Sequence, residues 1–377
     1  MAEGNGTESD PAAEEWAIYD QVVQLRVWGT SVVHPLPAAG EEPILGASDR
    51  CSIRIDDPSR KVSRRHARVV RTRSGWAVRD LSSKNGIRLD GAQRPDGPLH
   101  PGTELGLGGV VLIAESKQLI ALRDFLARLL GWDDARRPDV DRALRAVRLA
   151  ATHRAPLLVS GEGDLVPLAR SLHDHARGGD KPFVLCDPRR RGAKADVRLA
   201  TNITDVRHAL QSAVGGSLCL LRRRMPRDAS AVLDEIRSSN PRVQLIVCMY
   251  ESERIPIESL LAYTIDIPPL AAREHELGQI ISEYAMEAMR ELRTARSIFT
   301  AEDHEWVRTF SASSLSEIEK GTRRLVALRA DRTLAGAAAR LKMAPVSLSR
   351  WLERRDLAGE FRFREPRRLT PRRSGDA

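Results

Sequence analysis

The strongest constraint on the fold is a change in the spacing of apolar residues along the chain. From Val22 to about Glu115 they come in short alternating runs: VVQLRVW, SIRI, ARVV, WAVRDL, IRLDG and GVVLIA. Turn-forming segments (DDPS, RSG, SSKNG, PDGP, LGG) separate these runs. Short strands punctuated in this way predict an all-β sandwich. From Lys117 the period becomes helical, with Leu119, Leu122, Leu126, Leu129 and Leu130 on one face. After a break at GWDDARRPD, a second helix runs through Val140, Leu144, Val147 and Ala151. Between residues 156 and 272 the runs PLLVSG, FVLCD, GSLCLL and VQLIVCMY read as strands. They alternate with the amphipathic segments LVPLARSLHDHA, DVRHALQSAV and DASAVLDEIRSS, which predicts a parallel sheet flanked by helices. Beyond Ala272 the pattern is helical and ends in a compact pair over 333–341 and 345–354.

The chain has 377 residues, enough for two or three domains, and no apolar run long enough to span a bilayer. Its N-terminus (MAEGNGTESDPAAEEW) is acidic and lacks the apolar stretch of a signal peptide, so a cytoplasmic location is expected. Cys51, Cys186, Cys219 and Cys248 form no closely spaced pair and read as buried thiols rather than metal ligands. The net charge of +9 is localised. Residues 320–377 carry 16 basic and 6 acidic groups, and the remaining residues nearly balance. That distribution points to a polyanion-binding C-terminal end.

The sequence VSRRHARV, followed after one strand by DLSSKNG, is the most specific motif. It resembles the forkhead-associated (FHA) domain over about residues 25–115. The resemblance implies a β-sandwich that recognises phosphothreonine on a protein partner. Ser63, Arg64 and His66 match the family's Ser-Arg-x-His element, and Asn85 and Gly86 match its Asn-Gly loop. A phosphothreonine brings nearly two negative charges and three acceptor oxygens, which suit a serine hydroxyl and an arginine fork. Ser63, Arg64, Lys84, Asn85 and Gly86 are therefore the expected phosphopeptide residues, with Gly46 and His66 structural. The family's Gly-Arg reads Gly46-Ala47 here, so one phosphate-facing arginine is missing. Arg50, Arg64, Lys61 or Lys84 is left to supply the cation, and weakened or altered peptide selectivity is expected.

The segments PLLVSGEGDLVPLARSLHDHA, AVGGSLCLLRRRMP and IDIPPLAAREHEL occur in an order that resembles the AAA+ domain of sigma-54-dependent activators over about residues 140–320. The chemistry of that family is absent from the sequence. A phosphate-cradling loop needs a lysine, whereas Gly161-Glu162-Gly163-Asp164 runs into Leu165 without one. The strand expected to end in metal-binding carboxylates reads Leu220-Leu221-Arg222-Arg223-Arg224. The sigma-contact loop expected before residue 213 is also missing. No catalytic residue, metal or cofactor is therefore expected, and the domain reads as a pseudo-ATPase. The Arg222–Arg224 and Arg189–Arg191 runs are expected to be solvated.

The segment RTLAGAAARLKMAPVSLSRWLERR resembles the Fis-type helix-turn-helix that ends such activators. Leu334, Ala337, Ala338, Leu341, Val346, Leu348 and Leu352 supply its apolar spacing, and Lys342 stands at the usual turn glycine. Ser347, Ser349, Arg350, Arg354 and Arg355 are expected to face double-stranded DNA.

The resulting layout is a disordered tail (1–21), an FHA sandwich (22–116), a linker helix (117–139) and a degenerate AAA+ α/β domain (140–272). A helical lid (273–320), a helix-turn-helix (321–356) and a basic tail (357–377) follow. Together these readings predict a bacterial transcription regulator that reads a phosphothreonine-containing protein, with a Ser/Thr kinase as one candidate, and binds DNA. It would not remodel sigma-54 polymerase, has no membrane partner, and homo-oligomers are possible. The alternative is a phospho-dependent adaptor in a Ser/Thr kinase pathway without specific DNA binding.

Overall fold

The computed structural model describes residues 20–38, 40–189, 200–228, 234, 242–250, 263–355 and 357. These fall into two compact units that meet in sequence at Pro268 and Pro269. Most of the predicted tails (1–19 and 358–377) and most of DASAVLDEIRSS lie outside the described residues.

In the first unit, alternating apolar residues build two facing sheets. One has the order β2 (Val33–Pro35), β1 (Val22–Val27), β11 (Val110–Ser116), β10 (Glu104–Leu107), β7 (Ile87–Leu89), β8 (Ala92–Arg94). The other runs β4 (Ile53–Arg54), β3 (Ile44–Gly46), β5 (Ala67–Thr72), β6 (Gly75–Asp80), β9 (Asp96–Leu99). Strand β5 shows the logic: Ala67 and Val69 are buried while Arg71 and Thr72 are exposed. Leu25, Leu45, Val69, Val78, Ile87, Leu105 and Leu112 meet in one core between the sheets.

Helices α1 (Lys117–Leu130) and α2 (Arg137–Thr152) follow directly, and Leu119, Leu122, Leu126, Leu129 and Leu130 are all buried. The side chain of Ser116 caps α1 by accepting from Leu119 N. Asp20 also accepts from the first turn, at Gln118 N, so the predicted disordered tail is tied down at its last residues. The segment read as a linker is part of the compact body, because α1 packs on α2 and on the next helix, α3 (Val166–Arg177).

A buried ionic network joins the sandwich to α2. Arg26 donates from Nε to Glu115 (2.7 Å) and in a fork to Asp141 (2.5 and 3.1 Å). Arg123 and Gln24 complete the shell of Glu115, and Gly29 N that of Asp141. Burial opposes the charge on Arg26, but the two carboxylates more than offset it and hold its pKa above the ordinary value. Nearer the surface, Arg145 lies over Trp28 and pairs with Glu104, while Arg148 reaches Asp90 at 2.9 Å. Asp90 follows β7 at the end opposite Gly86. The helices therefore dock on the end of the sandwich away from the 81–86 loop.

The third sheet is entirely parallel in its pairings. Its order is β14 (Thr201–Asn202), β13 (Phe183–Cys186), β15 (Ser217–Leu221), β16 (Gln244–Tyr250), β12 (Leu157–Gly161), β17 (Tyr263–Asp266). The four strands expected from the sequence are present. The edge strands β14 and β17 were not anticipated, because each is too short to show a period. Helices α3 and α4 (Val206–Ser212) flank the sheet. Cys186, Cys219 and Cys248 are buried, but Cys51 is only half-buried, which corrects the reading of four buried thiols.

His173 on α3 is enclosed. Its Nε2–H donates to the Lys181 carbonyl (3.1 Å) and its Nδ1 accepts the Ser217 hydroxyl (2.8 Å). Burial pushes its pKa down to about 4 from 6.5. Between these values the unfolded chain binds the proton and the folded one does not, so stability falls as pH drops from 6.5 toward 4. The full loss is roughly 3 kcal/mol. Urea midpoints at pH 7 and pH 4.5 are expected to show most of this loss in the wild type and much less of it in His173→Gln. Equal acid sensitivity in both would contradict the assignment.

The second unit opens with a short 3-10 segment, Leu270–Glu276, and continues through α5 (Leu277–Glu291), α6 (Ala301–Phe310) and α7 (Leu315–Ala330). The pair α8 (Leu334–Arg340) and α9 (Pro345–Glu353) follows. Helix α7 spans the expected boundary at 320/321, so the predicted lid and helix-turn-helix share one helix. The α/β unit likewise ends at Pro268 rather than at 272. Leu357, assigned to the basic tail, is buried and belongs to the helical unit. Among the described residues no helix is long and apolar enough to cross a membrane.

Candidate functional site

Three loops converge at one end of the sandwich: residues 47–52 after β3, 56–66 before β5, and 81–86 before β7. The central loop is wound around Asp57. Its carboxylate accepts the Ser59 hydroxyl (2.6 Å) and the N–H groups of Ser59, Lys61, Val62 and Gly109. The Ser59 hydroxyl and these backbone donors hold its pKa down to about 2. Asp57 and Ser59 were not singled out from the sequence, although an Asx-turn signature (Asp-Pro-Ser) marks the spot.

His66 then ties the central loop to the third. It is fully buried, its Nδ1 accepts from Ser63 N (3.0 Å), and its Nε2–H donates to the Gly86 carbonyl (3.0 Å). A carbonyl can only accept, so the neutral Nε2–H tautomer is fixed. Ser63 Oγ accepts from Lys84 N (3.0 Å), which leaves the hydroxyl proton free to donate outward. Asn85 Nδ2 donates to the Lys61 carbonyl (2.7 Å), which leaves its Oδ1 free to accept. On the other side, Ala47 N donates to Ser63 O and Ser48 N to Arg64 O, while the Cys51 thiol donates to Arg64 O.

Two glycines are required by this geometry. A Cβ on Gly46 would sit 2.3 Å from the Arg64 carbonyl oxygen, so only glycine lets the loops approach this closely. Gly86 has φ +68, in the left-handed region that glycine adopts without strain. Ser83 supports the same turn by accepting from Gly86 N while bonded to Asp80.

The structure therefore brings Ser63, Arg64, Lys84, Asn85 and Gly86 together, with Gly46 and His66 behind them. Arg50, Lys61, Arg64, Arg65 and Lys84 are exposed. Among the described residues none of these five side chains has an ion-pair partner. Asp57 and Asp80 are turned inward on backbone donors, and Asp49 is paired with Arg54. Chemically, the apex offers a hydroxyl donor, an amide and unneutralised cations to an extended anionic ligand.

The carboxyl ends of β12 and β16 form a second candidate, since the connections leave this point in opposite directions. Asp164 Oδ1 accepts from Val166 N, so a carboxylate already occupies the start of α3. Arg224 pairs with Asp187 at 2.8 Å and Arg223 lies over Tyr250. Arg222, Arg223 and Arg224 are all exposed, as expected of a solvated run, and two of them also find these partners. Arg190, Arg191 and the middle of the stretch expected to lack a sigma-contact loop (residues 190–199) lie outside the described residues.

In the helical unit, α8 and α9 are joined by a turn in which Lys342 has φ +55, the conformation a turn glycine would take. Ala337, Ala338, Leu348 and Leu352 are buried. Val346, expected in the core, is 56% exposed, and the buried Trp351 fills the interior instead. Arg350 and Arg354 are exposed, whereas Ser347 and Ser349 are half-buried, with Ser349 bonded to Glu353. Arg355 does not project freely, because it packs over Trp351 and reaches Glu317 at 3.5 Å.

Fold and apex together define a β-sandwich recognition module fused to an α/β body. Residues 44–108 match the family model described as "FHA domain", and this segment is an FHA domain. No curated protein matches the chain. Among solved structures it is similar to Mycobacterium tuberculosis EmbR in complex with a low-affinity phosphopeptide. That match has 25% identity over 26% of this chain and 24% of that one, with TM-score 0.23. The FHA-2 domain of an M. tuberculosis ABC transporter is 30% identical over 22% of this chain and 80% of that one, with TM-score 0.18. The FHA domain of a Chlamydia trachomatis protein is 24% identical over 24% and 92%, with TM-score 0.21.

Proposed function

We propose that this chain is a regulator that reads a phosphothreonine on a protein partner through its FHA apex and binds duplex DNA through α8–α9. The observation that carries the first half is the convergence of Ser63, Lys84 and Asn85 with unpaired cations on a scaffold held by His66 and Asp57. The free hydroxyl proton of Ser63 suits a phosphate oxygen. The free Oδ1 of Asn85 suits a backbone N–H of the same peptide. Arg64 and Lys84 flank Ser63 and stand in for the arginine that Ala47 replaces. Calorimetry with phosphothreonine peptide libraries tests this half, and absence of binding to any phosphorylated sequence by the folded protein would refute it.

The missing arginine makes a further prediction. Ala47 is exposed and its N–H bonds Ser63 O, so Ala47→Arg sets a guanidinium beside the phosphate position. A charge-assisted bond worth about 1.5 kcal/mol would tighten phosphopeptide binding roughly tenfold. Calorimetry on the variant checks it, and unchanged affinity would place the phosphate elsewhere.

The α/β body is read as a nucleotide-hydrolase fold without its chemistry. Asp164 holds the helix start that a phosphate would need, and Arg224–Asp187 and Arg223–Tyr250 fill the ends of neighbouring strands. Magnesium-dependent release of phosphate from ATP above background would overturn this reading. DNA binding is supported by the left-handed turn at Lys342, the exposed Arg350 and Arg354, and the basic balance of residues 320–377. A filter-binding assay that detects no duplex binding would leave the phospho-dependent adaptor.

A further inference from the structure

Beside the α8–α9 pair, the described residues of the helical unit bring three guanidiniums together around one indole. The guanidinium of Arg324, from α7, lies 5.1 Å from the centre of the Trp351 ring. That of Arg355, just past α9, lies 5.0 Å from the same ring. Arg354 adjoins them, exposed, with its Nε donating to the Arg350 carbonyl (3.0 Å). Among the described residues, the acidic group facing this cluster is Glu317. Glu317 is already shared, with Lys320 at 3.0 Å and Arg355 at 3.5 Å. Glu353 is turned to the Ser349 hydroxyl instead.

Two stabilising effects oppose the repulsion. Stacking on an indole contributes about 0.5–2 kcal/mol for each cation. The carboxyl end of α9 carries roughly half a negative charge, against three guanidiniums. Burial and the neighbouring cations act on the pKa values in the same direction. Burial, followed by repulsion from Arg355, brings Arg324 down to about 10. Arg355 is lowered as well, chiefly by burial, with Glu317 raising it and Arg354 adding a smaller repulsion. A bound anion would relieve this repulsion.

We propose that Arg324, Arg354 and Arg355, arranged around Trp351, form an anion site that takes a backbone phosphate of duplex DNA. The inference rests on the DNA-binding reading of α8–α9 and extends it to α7, a helix outside the helix pair. A phosphate contact is independent of base sequence, so the site contributes affinity and register while the exposed face of α9 carries any base preference.

The test is fluorescence anisotropy with the full chain and a mixed-sequence duplex over a range of salt concentrations, comparing wild type with Arg324→Gln. Loss of one phosphate contact is expected to weaken binding several-fold and to reduce the slope of log K against log salt by about one. The melting temperature without DNA is expected to hold or rise, because a repelled charge has been removed. An unchanged slope alongside normal wild-type binding would overturn the anion site alone. A lowered melting temperature with an unchanged slope would make Arg324 a structural clamp on Trp351. Failure of the wild type to bind any duplex would overturn the DNA-binding reading and this site with it. Arg324→Lys keeps the charge and is expected to retain the wild-type slope.

Discussion

Replacing Ser63 by alanine is expected to lower phosphopeptide affinity by roughly 10- to 150-fold, the equivalent of a charge-assisted hydrogen bond worth about 1.5–3 kcal/mol. The magnitude follows from how the hydroxyl is used. Its oxygen accepts from Lys84 N, so its single proton is committed outward, and nothing else at that position in the central loop can donate. The scaffold should survive the change. Ser63 N still reaches His66, His66 still holds Gly86, and Asp57 still organises the preceding turn. Affinity is therefore expected to fall with little change in melting temperature. Calorimetry and thermal denaturation on the same sample check the pair of outcomes. A variant that binds as well as wild type would move the phosphate away from Ser63.

The largest stability effect is expected at Arg26, far from the apex. Arg26, Glu115 and Asp141 are 4%, 0% and 1% exposed, so Arg26→Met leaves two carboxylates buried without their shared cation. Breaking a buried pair from one side costs about 3–5 kcal/mol, which exceeds anything the methionine regains by packing. In a unit of this size that corresponds to a fall in melting temperature of roughly 6–20 °C. Burial is what makes the number large, since the exposed Arg54–Asp49 pair would cost about 1 kcal/mol or less. Because Asp141 lies on α2 and Glu115 on β11, the loss should loosen the helices from the sandwich. Thermal denaturation measures the shift. A change of only a degree or two would mean that the network contributes little to holding these elements together.

The sandwich was readable because its strands keep period two and its turns carry Gly, Asn, Asp and Pro. The apex motif was readable because Ser63, His66, Asn85 and Gly86 are close in sequence within their loops. The Arg26 network was not, since Glu115 and Asp141 lie 89 and 115 residues away and polar residues carry no periodic signal. Asp57 was missed for a related reason: its work is done on backbone N–H groups, which any sequence supplies. At the C-terminal pair, Val346 fits the helical spacing as well as Trp351 does, and only packing decides that the indole goes in and the valine out. Arg355 was read from the helix-turn-helix resemblance as facing outward, whereas the structure gives it Trp351 and Glu317 as neighbours.

The account depends most on the three-loop apex being where the phosphorylated partner sits. Hydrogen–deuterium exchange on the full chain, with a phosphothreonine peptide and with its unphosphorylated twin, tests this directly. The phosphorylated peptide is expected to slow exchange in residues 47–52, 56–66 and 81–86 and the unphosphorylated one to leave them unchanged. Protection that ignores the phosphate, or that falls outside these loops, would contradict the central claim.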